Sequence, residues 1–483
     1  MIRIGIILGN LGRLVLIAGI AMLSCLIWSI AYQESVTVPI LQAAALTIAC
    51  GLLLKAFYTP DVNVNFKEGF VIVSLGWIVV SLFGTLPYLF SGYMASFTDA
   101  FFETVSGFTT TGASVIPDVE AWPHGLLFWR SLTQWLGGMG IISLFIAVIA
   151  NLGTRAKQLF KSELPGVASD NVSPRIRETA RRLWITYVVL SACCTIVFYL
   201  LGMDFFDSLC HAFGTLSTSG FSTKNASIAY YASPQLEWAI IFFMFISGIN
   251  FALHFFSFRN RSPRAYWKNA EFKFYTGIIL VISLLVFLTL GGPWQGANWG
   301  DNLRIALFHV TSIVTTTGYA AADNNLWSHM GTALILIMMF IGGCSGSTAG
   351  GVKPGRYLII LQRSIIEFKK MVHPRAVYSL RYGERVIKND LLLNVLQFFF
   401  LYIIILSVSM LYLTTQGLDI LSSLTAAAAC MGTTGSGMGI VGPIQNFSEI
   451  SGGGKYVLCA LMLIGRLEIY PLLVLFIPTF WQE

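Results

Sequence analysis

Four short runs of hydroxyl-bearing residues ending in glycine carry the chemistry of this sequence. They are Thr109-Thr110-Thr111-Gly112, Ser217-Thr218-Ser219-Gly220, Thr315-Thr316-Thr317-Gly318 and Gly432-Thr433-Thr434-Gly435. A dehydrated alkali cation needs several oxygen ligands in place of its water shell, and rings of backbone carbonyls can supply them. Pointing successive carbonyls at one axis demands unusual backbone angles, which glycine tolerates because it lacks Cβ. Threonine hydroxyls can add oxygens and hold each loop against its neighbours. The candidate filter residues are Thr110, Thr111, Gly112, Thr218, Ser219, Gly220, Thr316, Thr317, Gly318, Thr433, Thr434 and Gly435.

A moderately apolar stretch leads into each run, over 99–108, 207–216, 303–314 and 421–431, and the closing glycines are 108, 98 and 117 residues apart. One Thr-Gly run says little, because both residues are common in turns. Four of them, each between spanning segments and all on one side, read as an internal repeat of helix, short pore helix, glycine loop and helix. Four such units can pack around one axis. The short helices would aim their negative C-terminal ends inward, favouring a cation in the cavity below. Asp99 and Asp207 each stand 13 residues before their glycine, where they are expected to cap the first two short helices.

The elements that must position these loops follow from composition. The chain is 55% hydrophobic and 11% charged, against about 25% charged in soluble domains, so most of its outside must face lipid. Apolar runs lie near 11–31, 37–54, 69–91, 124–150, 183–203, 236–257, 274–291, 331–371, 391–414 and 455–478. Their length suits helices that cross a bilayer. The first is longer than a signal-peptide core and lacks an A-x-A cleavage site, so it is expected to stay as a helix. The predicted fold is an all-α polytopic membrane protein of ten transmembrane helices, with four pseudo-fourfold helix–pore-loop–helix repeats after two extra N-terminal helices. The corresponding divisions are 1–67, then repeats over 68–152, 153–258, 259–371 (whose second helix is broken) and 372–483.

The net charge of +7 is a topology signal rather than a mark of nucleic-acid binding. Basic residues crowd the connections 152–182, 258–273 and 353–388, whereas 94–123, 204–235, 292–330 and 415–452 hold only Lys224 and Arg304. Positive residues mark the cytoplasmic side, which places both chain ends inside. The outer connections carry Asp99, Glu103, Asp118, Glu120, Asp204, Asp207, Asp301, Asp323, Asp419 and Glu449. Together they suggest a vestibule that concentrates cations. The eight cysteines show no CxxC pairing, and the six histidines form no HExxH motif. An enzyme, a zinc site and a disulfide framework are therefore not expected.

Two further features lie inside apolar runs. The eighth run breaks at Gly342 and continues Gly343-Cys344-Ser345-Gly346-Ser347-Thr348-Ala349-Gly350-Gly351-Val352-Lys353. Each glycine costs a helix about 1 kcal/mol relative to Ala, and non-helical backbone at membrane depth must line a cavity or be buried in protein. The segment lacks the spacing of a phosphate-binding loop. Arg466 lies well within the last run, and a charge there is by default functional. Glu468 is two positions away and does not face it on a helix. The alternatives are a functional charge and an arginine satisfied by a buried carboxylate or a helix end.

The four loops, with Gln134-Trp135-Leu136-Gly137-Gly138-Met139-Gly140, Asn250-Phe251-Ala252-Leu253-His254-Phe255, His373-Pro374-Arg375-Ala376-Val377, Gly465-Arg466-Leu467-Glu468-Ile469 and Pro478-Thr479-Phe480-Trp481, resemble the TrkH/KtrB superfamily of potassium transporters, TrkH more than KtrB. The resemblance covers nearly the whole chain. It implies potassium uptake across a bacterial cytoplasmic membrane, a homodimer with one pore per protomer, and gating by a cytosolic TrkA-like ring that binds ATP, ADP or NAD. It implies that 343–351 acts as a gate beneath the filter and that Arg466 faces the pore. Glycine at Gly112, Gly220, Gly318 and Gly435 implies potassium over sodium, and the fourth loop departs from the Asn-rich, Pro-containing form of TrkH. The competing expectation is a potassium symporter coupled to protons or sodium, since broken helices mark that class too. Acidic residues clustered in loops rather than helices favour the channel-like path.

Overall fold

The computed structural model describes residues 2–58, 64–151, 173–290, 299–323, 327–383, 385–387, 389–443 and 445–482. Arg155, Lys157 and Lys161 of the first basic connection lie outside the described residues. Helices α1 (Ile4–Leu23) and α2 (Cys25–Ala31) form one span, α3 (Thr37–Lys55) the next, and α4 (Phe66–Gly84) with α5 (Leu86–Ser91) the third. The short helix α6 (Phe97–Phe108) and the long α7 (His124–Asn151) follow. Next come α8 (Ser173–Leu200), short α9 (Phe205–Leu216), α10 (Pro234–Ser247) and α11 (Phe251–Arg259). A third group comprises α12 (Arg264–Lys268), α13 (Ala270–Thr289), short α14 (Trp299–Val314), α15 (His329–Met338) and α16 (Pro354–Val372). A small antiparallel hairpin, β1 (Arg381–Tyr382) and β2 (Arg385–Val386), leads to the last group. That group is α17 (Asn389–Thr415), short α18 (Ile420–Gly432), α19 (Gly452–Arg466), α20 (Tyr470–Leu473) and α21 (Pro478–Trp481).

Six of these segments are long and apolar enough to cross a membrane, eight counting two bent pairs, and in the six only 28% to 50% of the most apolar stretch is buried within the molecule. The rest of each apolar surface has to be covered by hydrocarbon, because exposing it to water would be strongly unfavourable. The interior is a large apolar cluster that surrounds the four short helices, with Phe102, Val105, Val310, Val314, Ala427 and Ala428 fully buried in it.

Two segments that read as continuous runs are in fact broken. The sixth bends by 96° between α10 and α11 and the tenth by 115° after α19. The first break, at Gly248-Ile249-Asn250, is held by Asn250, whose side chain accepts from the Ala252 amide at 2.8 Å and so starts α11 afresh. At the second, Glu468 and Ile469 take positive φ of 56° and 70°. That conformation is strained for a β-branched residue and persists only where the surroundings enforce it.

The capping expectation for Asp99 and Asp207 is corrected. Ser96 accepts the Asp99 amide and Asp204 the Phe206 amide, while Asp419 accepts the Ser422 amide at the fourth short helix. The Ser422 contacts hold the Asp419 carboxyl below the usual carboxylate range. Asp99 instead pairs with Lys455 at 2.6 Å, and Asp207 accepts from Thr223, Tyr231 and Lys224 at 2.7, 2.8 and 3.1 Å. A residue in the first helical turn faces sideways, so a carboxylate there is free to reach a neighbouring element.

Candidate cation-binding site

Each short helix ends the same way. The second residue of the motif turns to positive φ (Thr110 54°, Thr218 54°, Thr316 58°, Thr433 54°), and the closing glycine does so again (Gly112 82°, Gly220 76°, Gly318 81°, Gly435 81°). The residue between them donates its amide back to the helix, Thr111 to Ser106 at 2.9 Å, Ser219 to Gly214 at 2.9 Å, Thr317 to Ser312 at 2.8 Å and Thr434 to Ala429 at 2.8 Å. The chain therefore reverses and climbs away from its own helix in four equivalent copies.

The order of the copies follows from what each glycine touches. A Cβ on Gly112 would lie 1.7 Å from the Ser219 carbonyl oxygen, and one on Gly220 1.9 Å from that of Thr317. On Gly318 it would lie 2.1 Å from the Thr434 oxygen, and on Gly435 2.3 Å from that of Thr111. First loop meets second, second meets third, third meets fourth and fourth meets first, so the twelve candidate residues form one closed ring. Glycine is required here twice over, by its φ and by the carbonyl of the next loop.

Hydroxyls brace three of the four loops. Thr109 pairs with Thr111 at 2.8 Å, Ser217 with Ser219 at 2.5 Å and Thr315 with Thr317 at 2.8 Å. In the fourth, Gly432 takes the place of the first hydroxyl, and the Thr434 hydroxyl is buried without a partner among the described residues. The Thr110 and Thr433 hydroxyls are likewise buried and unpartnered. Unmatched buried oxygens are rare because they forfeit their hydration.

The broken segment between α15 and α16 packs under this ring. The Gly350 amide donates to the Thr316 hydroxyl at 2.9 Å, and the Thr348 hydroxyl donates to the Leu216 carbonyl at 2.9 Å and lies 3.4 Å from the Thr218 hydroxyl. A Cβ on Gly350 would sit 1.8 Å from the Thr433 hydroxyl, so only glycine allows the loop this close. Its entrance and exit are zipped by Gly342 N donating to Val352 O at 3.0 Å. The break in the sixth segment receives it, Cys344 N donating to Gly248 O at 2.8 Å and Phe251 N to Gly346 O at 3.1 Å. Buried Glu271, at the start of α13, accepts from the Ser345 amide and hydroxyl, each at 2.9 Å, and from the Gly355 amide at 3.2 Å. Residues 343–351 and the ring are thus one contiguous unit.

Arg466 joins them. Its Nη1 donates to the Thr348 carbonyl at 2.7 Å and its Nη2 to the Gly137 carbonyl at 3.2 Å. Among the described residues no carboxylate pairs with it; Glu468 turns instead to Arg356 at 2.6 Å, and Arg356 lies over the Phe398 ring at 3.9 Å. Both groups sit where the loop hands over to α16. Lys353, also buried, donates to the carbonyls of Ala349 and Gly350.

Several residues that matter here escaped the sequence reading. Arg130, buried within α7, pairs with Glu103 at 2.6 Å and donates to the Ser222 carbonyl at 2.9 Å just past the second loop. The signal was present, a charge in the middle of an apolar run. Gln134, read in the sequence only as part of a motif and given no role, donates its Nε2 to the Ser219 carbonyl at 3.3 Å, on the ring itself. Glu271 stands at the edge of its run and could not be told from a solvated terminal residue. The acidic vestibule is also thinner than expected. Asp99, Glu103, Asp207 and Asp301 are paired with Lys455, Arg130, Lys224 and Arg304 at 2.6, 2.6, 3.1 and 2.6 Å.

Four glycine loops closed into a ring inside a mostly helical body with membrane-spanning segments point to a membrane transport protein. A family described as TrkH, cation transport protein, matches residues 37–483, and the chain belongs to it. It is 41% identical to the Trk system potassium uptake protein TrkH of Escherichia coli (strain K12), over 86% of each chain. To the protein of the same name from Vibrio parahaemolyticus it is 37% identical over 98% of each. The crystal structure of the potassium transporter TrkH from Vibrio parahaemolyticus superposes with a TM-score of 0.91 at 35% identity, covering 100% of both chains.

Proposed function

We propose that this chain takes up potassium across the cytoplasmic membrane of a bacterium through a selective pore, with both chain ends inside. The closed ring, in which each glycine abuts the next loop's carbonyl, is the observation that carries the reading. A ring so tightly abutted has little freedom to contract, so it favours the ion whose size matches its carbonyl spacing. The twelve ring residues bind potassium as substrate. Residues 343–351 form the gate, because they fill the space under the ring and are latched by a single arginine. The four divisions beginning at 68 each supply one side of the pore. A cytosolic nucleotide-binding ring acts on the basic face through α16, which leads directly out of the gate, and two chains assemble as a homodimer.

The experiment is rubidium uptake into liposomes holding the purified chain, driven by trapped potassium, with sodium as competitor. The expected outcome is uptake that potassium blocks and sodium does not, without any proton gradient. Uptake that requires an imposed proton or sodium gradient would replace the pore with a symporter.

A further inference from the structure

We infer that the cytoplasmic end of the third repeat holds a site for an anionic phospholipid. A groove of about 870 Å³ opens between the start of α13, the second half of α16 and the hairpin. Lys268, Lys273, Lys369 and Arg381 line it, and among the described residues no lining carboxylate balances them. None of the four forms an ion pair among the described residues; Arg381 reaches only the Ser379 hydroxyl at 3.3 Å. The nearby acid Glu367 is occupied by Arg363 and Lys370, and Glu271 is turned inward to Ser345. Four like charges around one hollow repel one another, and a bound phosphate removes that cost.

The apolar surroundings narrow the ligand to a lipid. Ile366 is buried in the wall beside Phe274 and Leu358. On the same end of α16, Phe368, Met371 and Val372 are 66%, 76% and 70% exposed, interleaved with Lys369 and Lys370. Trp267 at the rim is 64% exposed. Basic and large apolar side chains exposed together on one helix end mark the zone where headgroups meet acyl chains, and indole rings favour that level. Basic pockets between membrane helices on the cytoplasmic side suit phosphate headgroups. A soluble anion would use the four cations and leave the exposed apolar side chains without a purpose. A diacyl phospholipid uses both. Because α16 leaves the 343–351 loop directly, a lipid seated here stiffens the helix on which that loop hangs.

The test uses the purified full chain in detergent, titrated with cardiolipin or phosphatidylglycerol, with phosphatidylcholine, and with inorganic phosphate, read by native mass spectrometry and by the thermal unfolding midpoint. The expected result is retention of the anionic lipids alone, with a raised midpoint. The double variant Lys273→Gln/Lys369→Gln should bind them about thirtyfold more weakly (about 2 kcal/mol). Lys55→Gln, at the end of α3, should bind normally and control for general loss of charge. Equal retention of phosphatidylcholine, or unchanged binding by the double variant, would overturn the proposal. Stabilisation by phosphate alone would reassign the groove to a soluble anion. Self-association that the double variant abolishes without any dependence on lipid would assign the face to a second copy of the chain.

Discussion

At the scale of single residues the ring depends on atoms that are absent. Gly318 has both a positive φ of 81° and the Thr434 carbonyl where its Cβ would be. In Gly318→Ser the added carbon must displace that carbonyl, so one oxygen of the ring turns away. Uptake should survive at a reduced rate, and discrimination between potassium and sodium should fall by about tenfold, the equivalent of ~1.4 kcal/mol. Competition of rubidium uptake by sodium measures it, and unchanged competition would remove Gly318 from the filter. Arg466 sits at the same scale. Its planar fork holds two separate carbonyls, which one ammonium cannot do. Arg466→Lys should therefore release the Thr348 end of the loop and raise basal rubidium flux in liposomes by about tenfold, since a lost hydrogen bond to a charged group is worth roughly 1.5–3 kcal/mol. The loops themselves were legible in the sequence because glycine in a repeated setting has few other uses. The partners of Arg466 were not. Backbone carbonyls carry no residue type, so no pattern of side chains could announce Thr348 and Gly137.

At the scale of elements, the 343–351 loop is a piece of irregular backbone that stays ordered because other elements satisfy it. Its glycine content made the break in the eighth segment readable. The matching break between α10 and α11 was hidden, since Gly248 and Asn250 sit in a run that is otherwise mostly apolar. That break exists only in partnership with the loop it receives, through Cys344 to Gly248 and Phe251 to Gly346. Local propensity alone favours an unbroken helix there, and tertiary hydrogen bonds override it. Glu271 is an acidic anchor of this assembly, one carboxylate oxygen accepting three donors. Glu271→Gln keeps the shape but replaces charge-assisted bonds with neutral ones, about half as strong. The expected loss is about 1–2 kcal/mol. Thermal unfolding of the purified variant should begin a few degrees earlier, and basal rubidium flux should rise. A lower midpoint with unchanged flux would separate the anchor from the gate.

For the whole molecule, the question is what keeps four covalently linked but chemically different units in one ring. Besides the Arg356–Glu468 pair and the bonds of Arg466, charged ties run between them near the outer side. Arg130 of the first repeat reaches the Ser222 carbonyl of the second, Arg304 of the third pairs with Glu237 of the second, and Lys455 of the fourth pairs with Asp99 of the first. Lys224 and Arg304, the two cations that stood out in the outer connections, are both spent on such carboxylates. Arg130 is the most enclosed, 3% exposed and stacked on Phe221 at 3.5 Å, with Glu103 1% exposed. Glu103 also accepts from the Ser114 hydroxyl and the Val115 amide, so the pair joins the far ends of the first two glycine loops. Removing one partner leaves a buried charge unmatched, which typically costs 3–5 kcal/mol, whereas removing both leaves none. Arg130→Met should accordingly destabilise the protein more than Arg130→Met/Glu103→Leu, with a coupling energy above about 1 kcal/mol in the double-mutant cycle. The selectivity readout should behave differently. The double variant regains stability but not the tie to Ser222, so its potassium preference over sodium should stay as low as that of the single variant. Recovery of both properties together would mean that Arg130 serves only to neutralise Glu103, and that the ring keeps its geometry without this tie.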